Sequence, residues 1–322
     1  MKTIAMIGFY SEDVLPVMQQ KKPKEFNIVS VPSYEEYDRL VDADYIILRG
    51  LKINADTIKT LKKARLIQRW GAGFDSVDIE AAGRAGIPVA ITSGVNSAAV
   101  SELAVLLMLS LFRHVVTLDN MLKRGEWERQ AYIDRSFLIK GKTVGLFGCG
   151  NIGRQVAQKV RAFGAKVLYY DSLRMPAKLE QELGICYAEQ DELLALSDIV
   201  SVHVPALDST RGVFNKAMFE KMKPTAIFIN SARGCIVNEE DLVEALQQGR
   251  IAGAGLDSFV NEPLLTDSAI TKCPNVVLTP HIGGNTQDIN GEMVEKILSN
   301  IGKIDQGEAL YLPDLVNGQF LR

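Results

Sequence analysis

The sequence has few cysteines, and their placement excludes two common ways of stabilising a fold. The four are scattered along the chain, and no two of them form a CxxC pair: Cys149, Cys186, Cys235 and Cys273. Such spacing argues against a disulfide framework and against a metal site. We therefore expect no bound metal and a reducing, cytoplasmic environment.

An excess of positive charge and a long uninterrupted apolar run are also absent. The formal net charge is −3, and no extended basic tract occurs, so neither nucleic acid nor an anionic membrane is an expected partner. The longest apolar segment, residues 98–116, is interrupted by polar and charged side chains, which argues against a membrane span. Residues 1–9 have the pattern of a strand rather than of a secretory signal, because no small-residue cleavage site follows.

The patterns that are present indicate an α/β protein with two domains. The chain has 322 residues, 47% hydrophobic and 23% charged, which is typical of a globular protein too long for one core. Strand and helix patterns alternate over residues 3–92 and again over residues 143–281. Such alternation predicts parallel sheets covered by helices on both faces. We expect two Rossmann-like, doubly wound domains with a cleft between them.

A helical pattern joins the two alternating series. This long helical pattern begins near residue 97 and ends before Lys123. It is rich in Leu, Ala, Val and Met on several faces, so the helix must be buried in a domain or against another subunit. We interpret it as the boundary element and as a candidate contact in a homodimer. The following segment, residues 123–129, has the composition of an exposed loop.

The sequence pattern around residues 148–153 predicts a dinucleotide site. A short apolar run leads into Gly148-x-Gly150-x-x-Gly153, and a helical pattern begins at once. In such a turn Gly148 permits the sharp bend, Gly150 lets a pyrophosphate approach the backbone, and Gly153 allows close packing of helix and strand. The helix N-terminus then offers N–H groups and partial positive charge to the phosphates.

An acidic residue follows the glycine turn at the spacing that a nucleotide site requires. The next strand pattern ends at Asp171, near the spacing of about 20 residues at which an acid binds the adenosine ribose 2′-hydroxyl. Its carboxylate would repel a 2′-phosphate, so Asp171 favours NAD over NADP. Arg174 lies close by in the sequence and is the one feature that weakens this preference.

Three residues whose side chains could take part in catalysis follow later strands of the same alternating series, residues 143–281. Arg233 can hold a carboxylate with its planar fork, and His281 can exchange a proton with an alcohol near neutral pH. Glu262 can orient an imidazole. Each residue alone has an ordinary structural explanation, but three of them at strand ends of one sheet favour an active site.

Taken together, these motifs resemble the D-isomer-specific 2-hydroxyacid dehydrogenase family along nearly the whole chain. The similar patterns are residues 148–153, His203-Val-Pro205 with Thr210, residues 230–234, residues 255–263 and residues 281–284. The resemblance implies that Arg233, Glu262 and His281 form the catalytic set. It also implies that Asp257 contacts the nicotinamide and that His203, Pro205 and Thr210 line the cofactor site.

The full set of expected NAD contacts follows from these motifs: Gly148, Gly150, Asn151, Ile152, Gly153, Asp171, His203, Pro205, Thr210, Ser231, Ala232, Asp257, His281, Gly283 and Gly284. The family resemblance further implies that the chain crosses twice between its domains. We therefore expect a substrate-binding domain at residues 1–97 plus 287–322 and an NAD-binding domain at residues 98–286.

Within the family, the arginine pattern is most similar to that of D-3-phosphoglycerate dehydrogenases. Their substrate-contacting arginines correspond to Arg49, Arg69 and Arg129, and the glycine turn of residues 71–73 has backbone N–H groups suited to an anion. The expected substrate contacts are Arg49, Arg69, Gly71, Ala72, Gly73, Arg129 and Arg233. The chain would be a short form without C-terminal regulatory domains, and feedback control by serine is not expected.

Two alternatives stay open from the sequence. One is a hydroxypyruvate or glyoxylate reductase, or another D-2-hydroxyacid dehydrogenase, in which these arginines are ordinary surface charges. The other is an NAD-sensing, corepressor-like binding protein on the same scaffold. An intact set of Arg233, Glu262 and His281 favours an enzyme that acts on a small 2-hydroxy or 2-oxo acid.

Overall fold

The computed structural model describes residues 1–321, which divide into two compact units. Unit 1 comprises Met1–Asn96 and Asn285–Arg322, and unit 2 comprises Ser97–Gly284. The sequence places the corresponding boundaries after residues 97 and 286. Each unit has its own parallel sheet, so the α/β fold class expected from the alternating pattern is confirmed.

Unit 1 contains a five-stranded parallel sheet in the order β2-β1-β3-β4-β5. Its strands are β1 (Lys2–Ile7), β2 (Phe26–Val31), β3 (Tyr45–Leu48), β4 (Leu66–Arg69) and β5 (Val89–Ala90), and its first helices are α1 (Val14–Lys21), α2 (Ala55–Thr60) and α3 (Ile79–Arg84). All four residues of β3 are buried, as expected for a central strand covered on both faces. Strands β3 and β4 end directly before the turns that contain Arg49 and Gly71.

Unit 2 contains a seven-stranded parallel sheet in the order β12-β11-β10-β9-β6-β7-β8. The strands are β6 (Thr143–Phe147), β7 (Lys166–Tyr170), β8 (Cys186–Tyr187), β9 (Ile199–Val202), β10 (Ile227–Asn230), β11 (Gly253–Leu256) and β12 (Val276–Leu278). This order reverses direction between β6 and β9. In open α/β sheets, ligands bind outside the carboxyl ends of the strands at such a reversal.

The helices of unit 2 cover both faces of this sheet. They are α4 (Ser97–Phe112), α5 (Val115–Lys123), α6 (Arg129–Ile133), α7 (Asn151–Ala162), α8 (Ala177–Leu183), α9 (Gln190–Leu196), α10 (Lys216–Lys221) and α11 (Glu239–Gln247). Helix α4 packs against α7 and the strands β10 to β12, so most of its apolar surface is buried within the unit. No single helix among residues 1–321 has the length and apolarity to span a membrane; α4 and α5 reach that limit only as a pair, bent by 62°.

The last helix, α12 (Asn290–Gln306), belongs to unit 1 and packs against α1 and β4. A buried amide pair joins it to the sheet, because Asn300 Nδ2 donates to Gln68 Oε1 at 2.9 Å. Gln68 in turn donates to the carbonyl of Arg69 at 2.9 Å. The helix therefore supports the end of β4, where the glycine turn of unit 1 begins.

Three elements differ from the sequence-based expectation. Helix α1 is absent from the predicted elements because it is short and buries only Val14 and Met18. Helix α6 is also absent from the predicted elements: it begins at Arg129, the last residue of the segment expected to be a loop, and it buries no residue, so it has no apolar period to detect. The sequence pattern predicts a final helix over residues 285–304, but helix α12 begins at Asn290, after a short 3₁₀ turn at Gln287–Ile289.

Candidate active site

The three glycines of the turn after β6 each meet a different steric condition. Gly148 has φ +96°, and a Cβ there would lie 2.8 Å from the carbonyl carbon of His203. A Cβ on Gly153 would lie 2.4 Å from the carbonyl oxygen of Gly148. At Gly150, by contrast, a Cβ would meet no atom of residues 1–321 within 4 Å. The outer side of the turn is therefore open to a ligand.

Asp171 follows β7 directly and is tied to this turn. Its Oδ2 accepts a hydrogen bond from the Cys149 N–H at 2.8 Å, while Oδ1 lies 3.4 Å from Ser172 Oγ. One carboxylate oxygen thus stabilises the glycine turn, and the ribose contact of Asp171 stays a prediction. Cys149 itself is inert packing, because burial raises the pKa of its thiol to about 12.

Three further predicted cofactor residues, His203, Pro205 and Thr210, lie in the loop that follows β9. His203 Nε2 pairs with Ser201 Oγ at 2.9 Å, and burial lowers the pKa of this histidine to about 4, so it is neutral at pH 7. Thr210 Oγ1 donates to the carbonyl of Pro205 at 2.6 Å and accepts the Leu207 N–H at 2.8 Å, which closes the loop on itself.

The residues present fit a dinucleotide. Helix α7 begins at the open glycine turn, and its N-cap residue is Gly150, which has no side chain to cap the first N–H groups. Ile152 lies in its first turn. The buried Ser231 Oγ, beside Ala232, has no hydrogen-bond partner within residues 1–321. Uncapped N–H groups and an unpaired hydroxyl are the donors that phosphate and ribose oxygens require.

His281 and Glu262 are brought together at the carboxyl edge of the unit 2 sheet. His281 Nδ1 lies 2.7 Å from Glu262 Oε2, although the two residues are 19 positions apart. Glu262 Oε1 accepts the Phe259 N–H at 3.0 Å, which fixes the carboxylate. Since Nδ1 bonds to the acid, Nε2 is the ring nitrogen suited to exchange a proton with a substrate.

The electrostatics keep Glu262 ionised. Burial raises the pKa of this carboxyl, but the hydrogen bonds from His281 and Phe259 and the positive charges of His281 and Arg233 together lower it below its usual value. An ionised Glu262 can stabilise a protonated imidazole. The pair has the arrangement of a general acid–base group with its orienting carboxylate.

Arg233 reaches this pair because of two residues of the 230–234 pattern to which the sequence analysis assigned no role of their own. The buried Asn230 accepts the Ala232 N–H and donates to the Arg233 carbonyl, each at 3.0 Å, which holds the turn after β10. A Cβ on Gly234 would lie 1.9 Å from the carbonyl carbon of Phe259. Only glycine therefore permits the Arg233 turn and the Glu262 loop to touch.

Asp257 has a structural task beyond the nicotinamide contact implied for it. Its side chain is 2% exposed. Oδ1 accepts the Thr279 hydroxyl at 2.6 Å and the Ile282 N–H at 2.9 Å, and Oδ2 accepts the Gly283 N–H at 2.8 Å. Asp257 thus holds the segment on both sides of His281, which itself has the unfavourable φ of +54°. The nicotinamide contact stays a prediction.

In unit 1, Arg49 is a predicted substrate residue whose guanidinium lies beside two aromatic rings and has one buried nitrogen without a hydrogen-bond partner among residues 1–321. Its guanidinium lies 5.7 Å from the ring centres of both Tyr10 and Trp70. Nη2 donates to Asn285 Oδ1 at 2.9 Å, while the buried Nη1 has no hydrogen-bond partner within residues 1–321. Burial lowers the pKa of Arg49.

Arg49 lines a cavity of about 310 Å³ in unit 1, together with Ser11, Asp13, Asn285 and Asn290. Asn290 Nδ2 donates to Asp13 Oδ2 at 2.9 Å. The hydrogen bonds from Asn290 and Ser11 lower the pKa of Asp13, so this cavity contains an ionised carboxylate beside the arginine at neutral pH.

Among the remaining substrate candidates, N–H donors of Arg69 and Gly71 form hydrogen bonds within the protein. Arg69 donates through Nε to the Gly73 carbonyl at 2.8 Å and through Nη1 to the Leu48 carbonyl at 2.7 Å, so it supports the glycine turn. The Gly71 N–H donates to Thr92 Oγ1 at 3.0 Å, so this donor is engaged within unit 1. The substrate contacts expected of Gly71, Ala72 and Gly73 stay predictions. Arg129 is exposed at the start of α6.

No group of three or more His, Cys, Asp or Glu side chains among residues 1–321 is arranged to hold a metal ion. The site therefore consists of an acid–base pair and an arginine beside a dinucleotide turn. Those are the parts of a nicotinamide-dependent oxidoreductase that acts on an alcohol or carbonyl group.

Comparison with known proteins identifies the family. Residues 105–283 match the model of the D-isomer specific 2-hydroxyacid dehydrogenase, NAD binding domain. The chain belongs to this family, its cofactor is NAD, and it is an oxidoreductase. The predicted family is thereby confirmed.

Individual relatives differ in their substrates. The chain is 40% identical to a hydroxypyruvate reductase of Thermotoga maritima over 81% of this chain and 86% of the relative. It is 35% identical to a D-3-phosphoglycerate dehydrogenase of Archaeoglobus fulgidus over 96% of this chain but only 59% of that relative. Among solved structures, a glyoxylate reductase from Paecilomyes thermophila is 29% identical, with a TM-score of 0.85 and 99% of each chain covered.

Proposed function

We propose that the protein reduces a small, unphosphorylated 2-oxo acid of the hydroxypyruvate and glyoxylate type to its D-2-hydroxy acid, using NADH. The observation that carries the reaction type is the 2.7 Å pair of His281 Nδ1 and Glu262 Oε2, with the charge of Arg233 acting on the same carboxylate. NAD supplies hydride exchange at the substrate C2 when it is bound.

The residues of the chain have three tasks in this reaction. His281, protonated at Nε2, donates a proton to the carbonyl oxygen at C2 as the hydride arrives, and it accepts that proton in the reverse direction. Glu262 stabilises the imidazolium and holds the ring. Arg233 binds the substrate carboxylate, because its planar fork matches two oxygens.

The cavity around Arg49 favours an unphosphorylated substrate. A phosphate ester would add about two negative charges, which need several donors for compensation. Of the three arginines considered for this purpose, Arg69 supports backbone carbonyls and Arg129 lies exposed. The ionised Asp13 in the same cavity as Arg49 would repel a phosphate dianion.

One observation favours D-3-phosphoglycerate as the second candidate substrate. The buried Nη1 of Arg49 has no partner within residues 1–321, and such a donor is costly unless a ligand oxygen satisfies it. Arg49 would then bind the phosphate or the distal hydroxyl of the substrate. The same donor can bind the hydroxyl of hydroxypyruvate, which keeps that substrate first.

The experiment is a panel of initial rates with NADH and hydroxypyruvate, glyoxylate or 3-phosphohydroxypyruvate. We expect kcat/KM for hydroxypyruvate to exceed that for the phosphorylated acid by about tenfold or more, because the cavity offers one arginine against one carboxylate. A higher value for the phosphorylated acid, lowered selectively by Arg49→Lys, would establish the second candidate instead.

The catalytic assignment is tested with His281→Asn, since asparagine tolerates the positive φ of this position. The loss of a general acid–base group lowers kcat by about 10²–10⁴-fold, whereas NAD affinity should change far less, because His281 is only one of the predicted NAD contacts. His114→Asn is the matched control, because His114 also has a positive φ, of 52°, and its Nε2 pairs only with a backbone carbonyl, at 2.9 Å. Near-normal turnover of His281→Asn would contradict the mechanism.

A further inference from the structure

Arg174 lies three residues after Asp171, on the side of the sheet where the adenosine ribose is predicted to bind. Its guanidinium is engaged with Glu180 on helix α8. Nε donates to Glu180 Oε1 at 2.9 Å, and Nη2 donates to Glu180 Oε2 at 3.0 Å. This is a fork-to-carboxylate pair with two parallel hydrogen bonds, the strongest geometry available to an arginine.

Glu180 is itself fixed by a second set of contacts. The hydroxyl of the buried Tyr169 donates to Glu180 Oε1 at 2.6 Å, and the Met175 N–H donates to that hydroxyl at 3.0 Å. The Glu180 side chain is only 12% exposed, whereas that of Arg174 is 60% exposed. Glu180 is therefore the buried, anchored partner, and Arg174 is the exposed partner that it binds.

An aromatic ring adds to the hold on Arg174. The guanidinium lies 5.1 Å from the ring centre of Tyr187, within the range of a cation–π contact. Hydrogen bonds from Arg174 and Tyr169 lower the pKa of Glu180 to about 2, so the pair is charged throughout the physiological range. Two of the five N–H donors of Arg174, on Nε and Nη2, are thus engaged with Glu180 before any cofactor arrives.

This arrangement bears on the choice between NAD and NADP. The two cofactors differ by a 2′-phosphate on the adenosine ribose, and an arginine close to the acidic strand end is the residue type that accommodates it. We propose that Glu180 is a coenzyme-selectivity residue, which holds the Arg174 fork in an internal pair and so withholds it from the 2′-phosphate of NADP. Asp171 repels that phosphate, and Glu180 removes the cation that would offset the repulsion.

The proposal rests on the predicted ribose contact of Asp171 and is independent of the identity of the 2-oxo acid. Another cation lies near the turn, since Arg154 Nε donates to the Cys149 carbonyl at 3.1 Å. A gain of NADP affinity must therefore be traced to Arg174 specifically. A simple change of local charge must also be separated from release of the fork.

The test measures the affinity of the full-length protein for NADP⁺ and NAD⁺ by isothermal titration calorimetry in Glu180→Gln. Glutamine retains an oxygen for the Tyr169 hydroxyl but loses the charge that holds Arg174. We expect NADP⁺ to bind about tenfold more tightly, as for one arginine–phosphate contact at a partly exposed site, with NAD⁺ affinity changed less than about twofold. The ratio of kcat/KM for NADPH and NADH should rise in parallel.

Two controls complete the design. Glu182→Gln removes a charge from the same helix, where Glu182 pairs loosely with Lys178 at 3.9 Å, and should leave both affinities unchanged. Arg174→Gln in the Glu180→Gln background should abolish the gain. An unchanged NADP⁺ affinity in Glu180→Gln, an equal gain in Glu182→Gln, or a gain that survives loss of Arg174 would each overturn the proposal.

The ribose assignment is tested separately by Asp171→Asn, which retains an oxygen to accept the Cys149 N–H but loses the carboxylate charge, and which should weaken NAD⁺ binding. If NAD⁺ binds this variant with wild-type affinity, the ribose lies elsewhere and the selectivity proposal fails with its premise. If NAD⁺ binding weakens but Glu180→Gln does not alter NADP⁺ affinity, the ribose site stands and only the role of Glu180 is refuted.

Discussion

Replacing Asp257 should displace His281, because Asp257 holds the segment that contains this histidine, while the imidazole ring itself is left chemically unchanged. Asp257 is buried and accepts three hydrogen bonds from the segment of residues 279–283. In Asp257→Asn one carboxylate oxygen becomes an NH₂ group, so at least one buried donor, such as the Gly283 N–H, faces another donor. The segment loses its charge-assisted acceptor and keeps a neutral one.

The magnitude follows from these contacts. A hydrogen bond to a charged group contributes about 1.5–3 kcal/mol, and a buried N–H left without an acceptor costs about 1–3 kcal/mol. We therefore expect Asp257→Asn to reduce the free energy of unfolding by about 3 kcal/mol. For a domain of this size that lowers Tm by roughly 6–12 °C.

The catalytic consequence exceeds the loss of stability. His281 has a positive φ, a conformation that costs about 1–3 kcal/mol and persists only when the surroundings impose it. A displacement of about 1 Å at a catalytic group costs about 100-fold in rate. We expect kcat of Asp257→Asn to fall by about that factor at a temperature well below its Tm.

The assay combines thermal unfolding with steady-state rates at 15 °C. Ser258→Ala is the matched control, because Ser258 is buried beside Asp257, at 3% exposed, and its Oγ has no hydrogen-bond partner among the described residues. That variant should retain both Tm and kcat. An Asp257→Asn protein with wild-type kcat would refute the argument that Asp257 positions His281.

Two further predictions concern packing and assembly. Gly234→Ala should lower the free energy of unfolding, measured by denaturant titration, by about 3 kcal/mol or more, because its Cβ would lie 1.9 Å from rigid backbone. Gly302→Ala is the control and should be neutral or stabilising, because no atom of residues 1–321 would lie within 4 Å of its Cβ. We expect light scattering to give a mass of twice 35.4 kDa, because α5 and the following segment expose Leu122 (54%) and Trp127 (79%). Trp127→Glu should shift that mass toward the mass of the monomer. A monomeric wild-type protein, or an undisturbed Gly234→Ala variant, would contradict these expectations.

The dinucleotide turn could be predicted because its determinants are local. Gly148, Gly150 and Gly153 lie within six consecutive residues, between a strand and a helix whose apolar periods are visible in the sequence. Asp171 follows one strand later at the expected spacing. Steric conditions on a single turn are set mainly by near neighbours in the chain, so the residue types alone indicate the fold of this segment and its NAD ligand.

The short or polar elements could not be predicted in the same way. Helix α6 buries none of its residues, and helix α1 buries only two, so neither has a strong apolar period.

The roles of the unit 1 arginines could not be predicted from the sequence either. Arg69 has the residue type of an anion-binding group, but its fork reaches the carbonyls of Leu48 and Gly73, which only the register of β3 and β4 brings within range.

By itself, the sequence determined the fold class, the family and the chemistry of the candidate residues, because strand periods, glycine spacing and side-chain types are properties of the chain. Tertiary structure alone decided which of those residues meet. His281 pairs with Glu262 because strands β11 and β12 are neighbours, Arg233 approaches because Gly234 carries no side chain, and Arg174 is held by a glutamate on the next helix. Contacts between loops distant in sequence depend on strand order and on packing distances of a few ångströms, and a local sequence pattern predicts neither of these.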